Sequence, residues 1–198
     1  LAGQLEELVT NETEDIEIIV GEDASTDPNF LYENQKIKTL PHCKYVYFTE
    51  NNGRAKIRNK LSDIAQGNYL LFIDSDALVM STNFLSEYIK YIPYHDVIYG
   101  GISTPVRMPD KRNRTLRLAY EKAAENIRSL SFRKKNPYKY ISAFNILIKH
   151  ELFDQIKFNE NCTLYGYEDA LFGIELKIRK KEIYHIDNPL LHTGIDTN

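Results

Sequence analysis

Tyr69-Leu70-Leu71-Phe72-Ile73-Asp74-Ser75-Asp76 is an apolar run of strand length that ends abruptly in two carboxylates. A continuous run of this kind predicts a strand buried on both faces. Upstream, Ala55, Ile57, Leu61, Ile64 and Ala65 recur at helical spacing, and Gly67 stands where a left-handed helix stop is expected. Before that helix, Lys44 to Thr49 and the β-branched Ile16 to Val20 read as two more strands. Strand, helix, strand in this order predicts a parallel βαβ unit, and Leu1, Leu5, Leu8 and Val9 place a helix ahead of it.

Downstream, Ser81 reads as the cap of a helix carrying Phe84, Leu85, Tyr88, Ile89 and Ile92, which Pro93 ends. Asp96 to Tyr99 is a brief strand stopped by Gly100-Gly101. Between Pro105 and Lys139 the chain turns basic, with Arg107, Lys111, Arg112, Arg114, Arg117, Arg128, Arg133, Lys134, Lys135 and Lys139. This segment reads as a solvated face whose Leu116, Leu118 and Tyr120, with Ala123 or Ala124, meet the core, or as a surface for an acidic or lipid-linked acceptor. Tyr140 to Ile148 returns to strand, Asp169 to Lys180 to a helix with Leu171, Ile174 and Ile178 on one side and Phe172 and Leu176 beside it, and Ile183 to Ile186 to a last short strand.

The chain has 198 residues, 42% hydrophobic and 27% charged, which suits one ordinary domain with a core of its own. We read residues 1–198 as that single domain. Twenty-five basic residues against 28 acidic ones leave a net charge of -3, too balanced for a nucleic-acid-binding field. Cys43 and Cys162 fit no paired motif and read as free thiols. No apolar stretch approaches the roughly 20 residues that span a bilayer, and no signal-peptide pattern is visible. A cytoplasmic location follows, with contact at the inner face of the membrane if the basic segment engages lipid.

Ligands of open α/β sheets bind at the carboxyl ends of the strands, and acidic clusters stand at two of those ends. One is Gly21-Glu22-Asp23-Ala24-Ser25-Thr26-Asp27, which reads equally as a turn built by Asp and Ser side chains. The other is Asp74-Ser75-Asp76. Carboxylates at a buried strand tip need a cation or donors beside them, and such oxygens suit Mn²⁺ or Mg²⁺ together with substrate phosphates. A third cluster, Tyr165-Gly166-Tyr167-Glu168-Asp169, opens the late helix. It suits the helix dipole, and it also suits a general base beside a sugar ring. His192 could complete the coordination of a metal held by Asp76.

In this order the pieces resemble a family 2 glycosyltransferase of the GT-A fold, from Ile16 to Gly194. Ile18 to Asp27 is similar to that family's strand and nucleotide loop, Asn52-Gly53 with Arg58-Asn59 and Ala65 to Tyr69 to its lead-in segment, Asp74-Ser75-Asp76 to its D-x-D motif, Glu168-Asp169 to its acidic pair, and Asp187-Asn188-Pro189 with His192 to its closing segment. The resemblance implies a Rossmann-like, mixed and mostly parallel sheet flanked by helices. It implies an inverting transfer from a nucleotide-diphosphate sugar, with UDP the expected nucleotide, to a hydroxyl of a glycan or lipid-linked acceptor, as in bacterial polysaccharide synthesis. Asp169 would be the base and Glu168 would orient it or the acceptor. Asp76, Asp74 and His192 would hold Mn²⁺ or Mg²⁺, and Glu22, Asp23, Ser25, Asn52, Gly53, Arg58, Asp74 and Ser75 would bind the nucleotide sugar. Glu22 and Ala24 replace the usual Asp and Gly, and the family's first strand has no counterpart ahead of Ile16. A nucleotidyltransferase, or a binding module of the same fold without turnover, remains as an alternative; the first lacks a glycine-rich phosphate loop here.

Overall fold

The computed structural model describes residues 1–104, 119, 123–124, 128–162 and 167–194. The core is a four-stranded sheet in the order β3 (Tyr69–Ile73), β7 (Asn145–Lys149), β5 (Val97–Tyr99) and β8 (Tyr184–His185). β7 runs antiparallel to both β3 and β5, whereas β5 and β8 are parallel. Side chains alternate across it. Leu70, Val97, Tyr99, Ile146 and Ile148 face α3 (Gly53–Ile64), α6 (His150–Ile156) and α7 (Glu168–Ile178), which bring Ala55, Leu152, Phe153, Phe172 and Leu176. Ile98 and Leu147 face α1 (Ala2–Val9) and α4 (Phe84–Ile89), which bring Leu5, Val9, Phe84, Leu85 and Tyr88. Two buried faces explain why these strands read as continuous apolar runs.

β1 (Ile18–Asp23) and β2 (Cys43–Phe48) pair in parallel, with α2 (Pro28–Asn34), a helix the sequence reading did not place, in the crossover. The expected unit of β2, α3 and β3 is not closed by pairing among the described residues, because β3 bonds antiparallel to β7. Asp27 caps α2 by accepting from the Asn29 amide, and Pro28 occupies the first turn, where its missing N–H costs nothing. β4 (Ala77–Leu78), β9 (Leu190–His192) and β6 (Ile102–Ser103) make a third small sheet. Among the described residues β1 bonds only to β2 and β3 only to β7, so one edge of each is unpaired. No described helix is long and apolar enough to cross a membrane, and both cysteines are free.

Several local expectations are corrected. β1 starts later than Ile16 and continues through Glu22 and Asp23, because its ladder with β2 extends to Asp23 opposite Phe48. Gly67 is not a left-handed stop: α3 ends at Ile64, Ala65 is extended, and the amides of Gln66 and Gly67 donate to Glu17 instead. Asn83, not Ser81, precedes α4; Ser81 lies before it, its hydroxyl accepting from the Asn83 amide. Strand β7 begins at Asn145 rather than Tyr140. In α7 it is Phe172 and Leu176 that enter the core, while Leu171, Ile174 and Ile178 are exposed. Arg107, Lys111, Arg112, Arg114, Arg117, Leu116, Leu118 and Tyr120 lie outside the described residues.

Arg133, expected on a solvated face, is 2% exposed on α5 (Leu130–Lys135). Its guanidinium stacks on Tyr99 and donates to the carbonyls of Arg128, Tyr99, Gly100 and Ile186 and to Nδ1 of His185. Because arginine can only donate, His185 must carry its proton on Nε2, which donates to the Pro137 carbonyl at 3.0 Å. Beside it, Asn145 is wholly buried, accepting from the Tyr88 hydroxyl at 2.6 Å and donating to the carbonyls of Gly101 and Asn188. A Cβ on Gly100 would fall 2.3 Å from the Tyr88 hydroxyl, so only glycine fits this crossing.

Two predictions follow from these buried polar groups. Asn145→Ala leaves three partners short of a bond and should cost about 2–4 kcal/mol, lowering the thermal midpoint by roughly 5–12 °C. Burial pushes the His185 imidazole down to about 4 from its ordinary 6.5. The unfolded chain therefore binds a proton that the folded chain refuses, and stability falls as pH drops from about 6.5 to about 4, by up to about 2–3 kcal/mol. Urea unfolding across that window should show the fall, and His185→Gln should flatten it relative to wild type.

Candidate active site

The turn from β2 into α3 is tied to the tip of β1. Asp23 accepts from the Asn52 amide at 2.8 Å, the Asn52 side chain at 2.7 Å and the Gly53 amide at 3.0 Å. Gly53 sits at φ +72°, a conformation that other residues adopt only with strain. Ala24 pays such strain at φ +58°, the position where the resemblance expected glycine. Glu22 is buried. Burial pushes its carboxyl up, but donors from Ser25, Asn34 and Tyr45 outweigh this and hold it below the usual range. Thus Asp23, Asn52 and Gly53 form one constellation, while Glu22 and Ser25 form another that faces α2 and β2.

Arg54 and Arg58 lie four residues apart on one face of α3. Arg58 reaches Asp74 at 2.5 Å, Glu168 at 3.4 Å and Asp169 at 3.9 Å, and its guanidinium lies over the Phe158 ring. Burial alone would lower its pKa, but the three carboxylates more than reverse that and fix it as a cation. Arg54, about half exposed, adds contacts of 3.6 Å to Asp74 and 3.9 Å to Glu168. The end of β3 and the start of α7 are therefore joined through α3. Ser75 between the two aspartates is exposed.

The adjacent acids differ in access: the side chain of Glu168 is 2% exposed and that of Asp169 is 17%. Asp169 accepts from the Ser142 hydroxyl at 2.6 Å and from the Ala143 amide at 3.1 Å. Burial raises its carboxyl above the ordinary carboxylate range, with Glu168 adding to the rise and Arg58, Ser142 and Ala143 opposing it. That is the direction a general base needs.

Beyond Ser75, antiparallel pairing sets Ala77 of β4 opposite His192 of β9. His192 Nε2 lies 3.0 Å from Asp76 Oδ2, and this contact holds the Asp76 carboxyl below the usual range. Thr193 donates to the Asp76 carbonyl from its amide and its hydroxyl. A Cβ on Gly194 would sit 2.1 Å from Asp76 Oδ2, so glycine keeps this approach open. Tyr165 and Gly166 lie outside the described residues.

Residues 1–157 match the model of the family described as Glycosyl transferase family 2. The chain belongs to that family. It is 27% identical over 168 residues to the teichoic acid poly(glycerol phosphate) polymerase of Staphylococcus epidermidis, covering 83% of this chain and 22% of that protein. Among solved structures it superposes on S. aureus TarS 1-349 in complex with UDP-GlcNAc with a TM-score of 0.67, 19% identity, and coverage of 100% and 55% of the two chains. The mannosyltransferase PcManGT of Pyrobaculum calidifontis, in complex with GDP-Man and Mn²⁺, gives 0.66, 19%, and 98% and 55%. These likenesses establish the GT-A fold. The chain spans about a quarter or less of the length of the curated relatives it matches.

Two residues of this network were not anticipated. Arg54 carries a readable signal, its spacing of four from Arg58 on a helix. Ser142 carries none, because only the folded chain brings it to Asp169. Arg58→Ala should destabilise the fold by about 3–5 kcal/mol in urea unfolding, since it strands the buried carboxylate of Glu168. Arg54→Ala, on a half-exposed pair, should cost under about 1 kcal/mol.

Proposed function

We propose that this chain carries the catalytic site of an inverting, metal-dependent glycosyltransferase that moves a sugar from a UDP-sugar to a hydroxyl of a glycan or lipid-linked acceptor. The acceptor class follows the teichoic acid polymerase among its relatives, and the nucleotide follows the UDP-GlcNAc bound to TarS. The observation that carries the reading is the accessible Asp169 carboxylate, raised and clamped, in one arginine-bridged network with Asp74 at the end of β3.

Asp76 Oδ2 and His192 Nε2 lie 3.0 Å apart, and in place of this mutual contact the two could ligate one ion, a donor pair that suits Mn²⁺ better than Mg²⁺. Among the described residues no three such side chains converge, so the pair would hold an ion together with oxygens of the bound diphosphate. The ion would supply stabilisation of the charge that builds on the departing diphosphate. Asp74 keeps Arg54 and Arg58 in place beside it, and Asp23, Asn52 and Gly53 form the wall for the nucleoside, with Ser75 at the exposed rim. Asp169 accepts the proton of the attacking hydroxyl as the oxygen closes on the anomeric carbon from the face opposite the leaving group. Glu168, spent on the arginines, orients rather than reacts. Direct attack by the acceptor needs one base and no enzyme nucleophile, hence inversion.

Thermal-shift titration with UDP, GDP, CDP and dTDP, each with and without Mn²⁺, tests the donor half. UDP at 100 times its dissociation constant should stabilise the fold by about 2.7 kcal/mol, and only with Mn²⁺ and intact Asp76. Asp169→Asn should keep that shift while UDP release from the sugar nucleotide falls by at least about 100-fold. A shift without metal dependence would remove the metal from the reading, and turnover surviving in Asp169→Asn would remove the base.

A further inference from the structure

Ser142 belongs to the turn before β7, a segment that contributes no residue to the donor wall or the metal pair. Its hydroxyl nevertheless makes a 2.6 Å bond to Asp169 Oδ2, while the next residue's amide bonds Oδ1 at 3.1 Å. The turn that presents these donors is itself fixed. Ser142 Oγ accepts from the Phe144 amide at 3.2 Å, the Asn145 amide donates to the Ser142 carbonyl, and Ala143, Phe144 and Asn145 are buried. Because Ser142 Oγ accepts from Phe144, its one proton is free to point at the carboxylate. Two donors on two oxygens leave the carboxylate no rotation about its terminal bond.

We infer that Ser142, with the Ala143 amide, is a positioning residue that fixes the Asp169 carboxylate and keeps one of its lone pairs turned to the acceptor. The inference rests on the reading of Asp169 as the base. Its physical content is a division of tasks. Arg58 stands 3.9 Å away, attracting without a directional bond, so orientation comes from the serine side. The other charged or titratable groups that act on Asp169 are Glu168 on its own helix and Tyr99 on β5, neither of which donates to it among the bonds of the described residues. A base held this way loses no time in unproductive rotamers, and a small misplacement of a catalytic group costs large factors in rate.

The decisive experiment needs no substrate. The Asp169 carboxyl carbon is titrated by ¹³C NMR in wild type, Ser142→Ala and Ser142→Thr, with Asp169→Asn assigning the signal. A hydroxyl that donates to the ionised form lowers the carboxyl midpoint, so Ser142→Ala should raise it by about one pH unit, and Ser142→Thr should return it toward wild type. An unchanged midpoint in Ser142→Ala overturns the inference, as does failure of Ser142→Thr to restore it while the thermal midpoint is intact. UDP release from UDP-N-acetylglucosamine with Mn²⁺ provides the second readout. Ser142→Ala should lower kcat about 10- to 100-fold, move the acidic limb of its pH profile upward and leave the UDP thermal shift unchanged. Loss of turnover in Asp169→Asn with wild-type kcat in Ser142→Ala would reject the clamp and keep the base. Turnover retained in Asp169→Asn would reject the base, with the titration still deciding the clamp.

Discussion

One guanidinium holds the site together. Arg58 is nearly buried, and three carboxylates from two distant parts of the chain converge on it: Asp74 at the end of β3, and Glu168 and Asp169 at the start of α7. Such convergence is repulsive without the cation, and the cation is costly without the carboxylates, so neither half is stable alone in a medium that hydrates charges poorly. The consequence is geometric. The strand tip that leads to Asp76 and the helix that carries Asp169 cannot drift apart without exposing or stranding charge.

A second buried network repeats this logic with neutral partners. Arg133 spends every N–H on four carbonyls and the His185 ring, and Asn145 joins Tyr88 to the backbone of Gly101 and Asn188. These bonds fix where β5 gives way to β6 and where the chain enters β9. His192 lies at the end of β9, and Asp76 meets it from the residue just before β4. Buried polar networks of this sort specify one arrangement because any other leaves donors or acceptors unpaired in a low dielectric.

What the sequence made legible follows the range of the physics. Buried strands announce themselves by continuous apolar runs, and β1, β2, β3 and β5 appear where those runs stand, whereas the antiparallel pairing of β3 with β7 does not show in any local run. The residues brought together at Asp76–His192 and at Glu168–Asp169 were readable because strand tips and helix starts concentrate polar chemistry. Helix ends were read less well: Gly67 and Ser81 had the right chemistry for caps, but Glu17 and the Ser81–Asn83 turn claimed those backbone groups. Arg133 was misread because a basic segment looks solvated until tertiary carbonyls gather round one of its members. Ser142 was invisible for the same reason, with 27 residues separating it from Asp169.

The adjacent acids of α7 show how a helix separates two roles with one turn of geometry. Successive residues are rotated by about 100°, so neighbours cannot share an environment. Glu168 falls on the side of α3, where Arg58 and Arg54 neutralise it and water does not reach. Asp169 falls toward the turn before β7, where burial raises it while neutral donors hold it, and part of its surface stays open. Enclosed by two guanidiniums and 2% exposed, Glu168 has no face left for an acceptor hydroxyl. An acid held by a hydroxyl and an amide, with the nearest guanidinium at the limit of contact, gives up less on protonation and can take a proton from a neutral hydroxyl. The proposed division of base and orienter thus agrees with the side of the helix each carboxylate occupies.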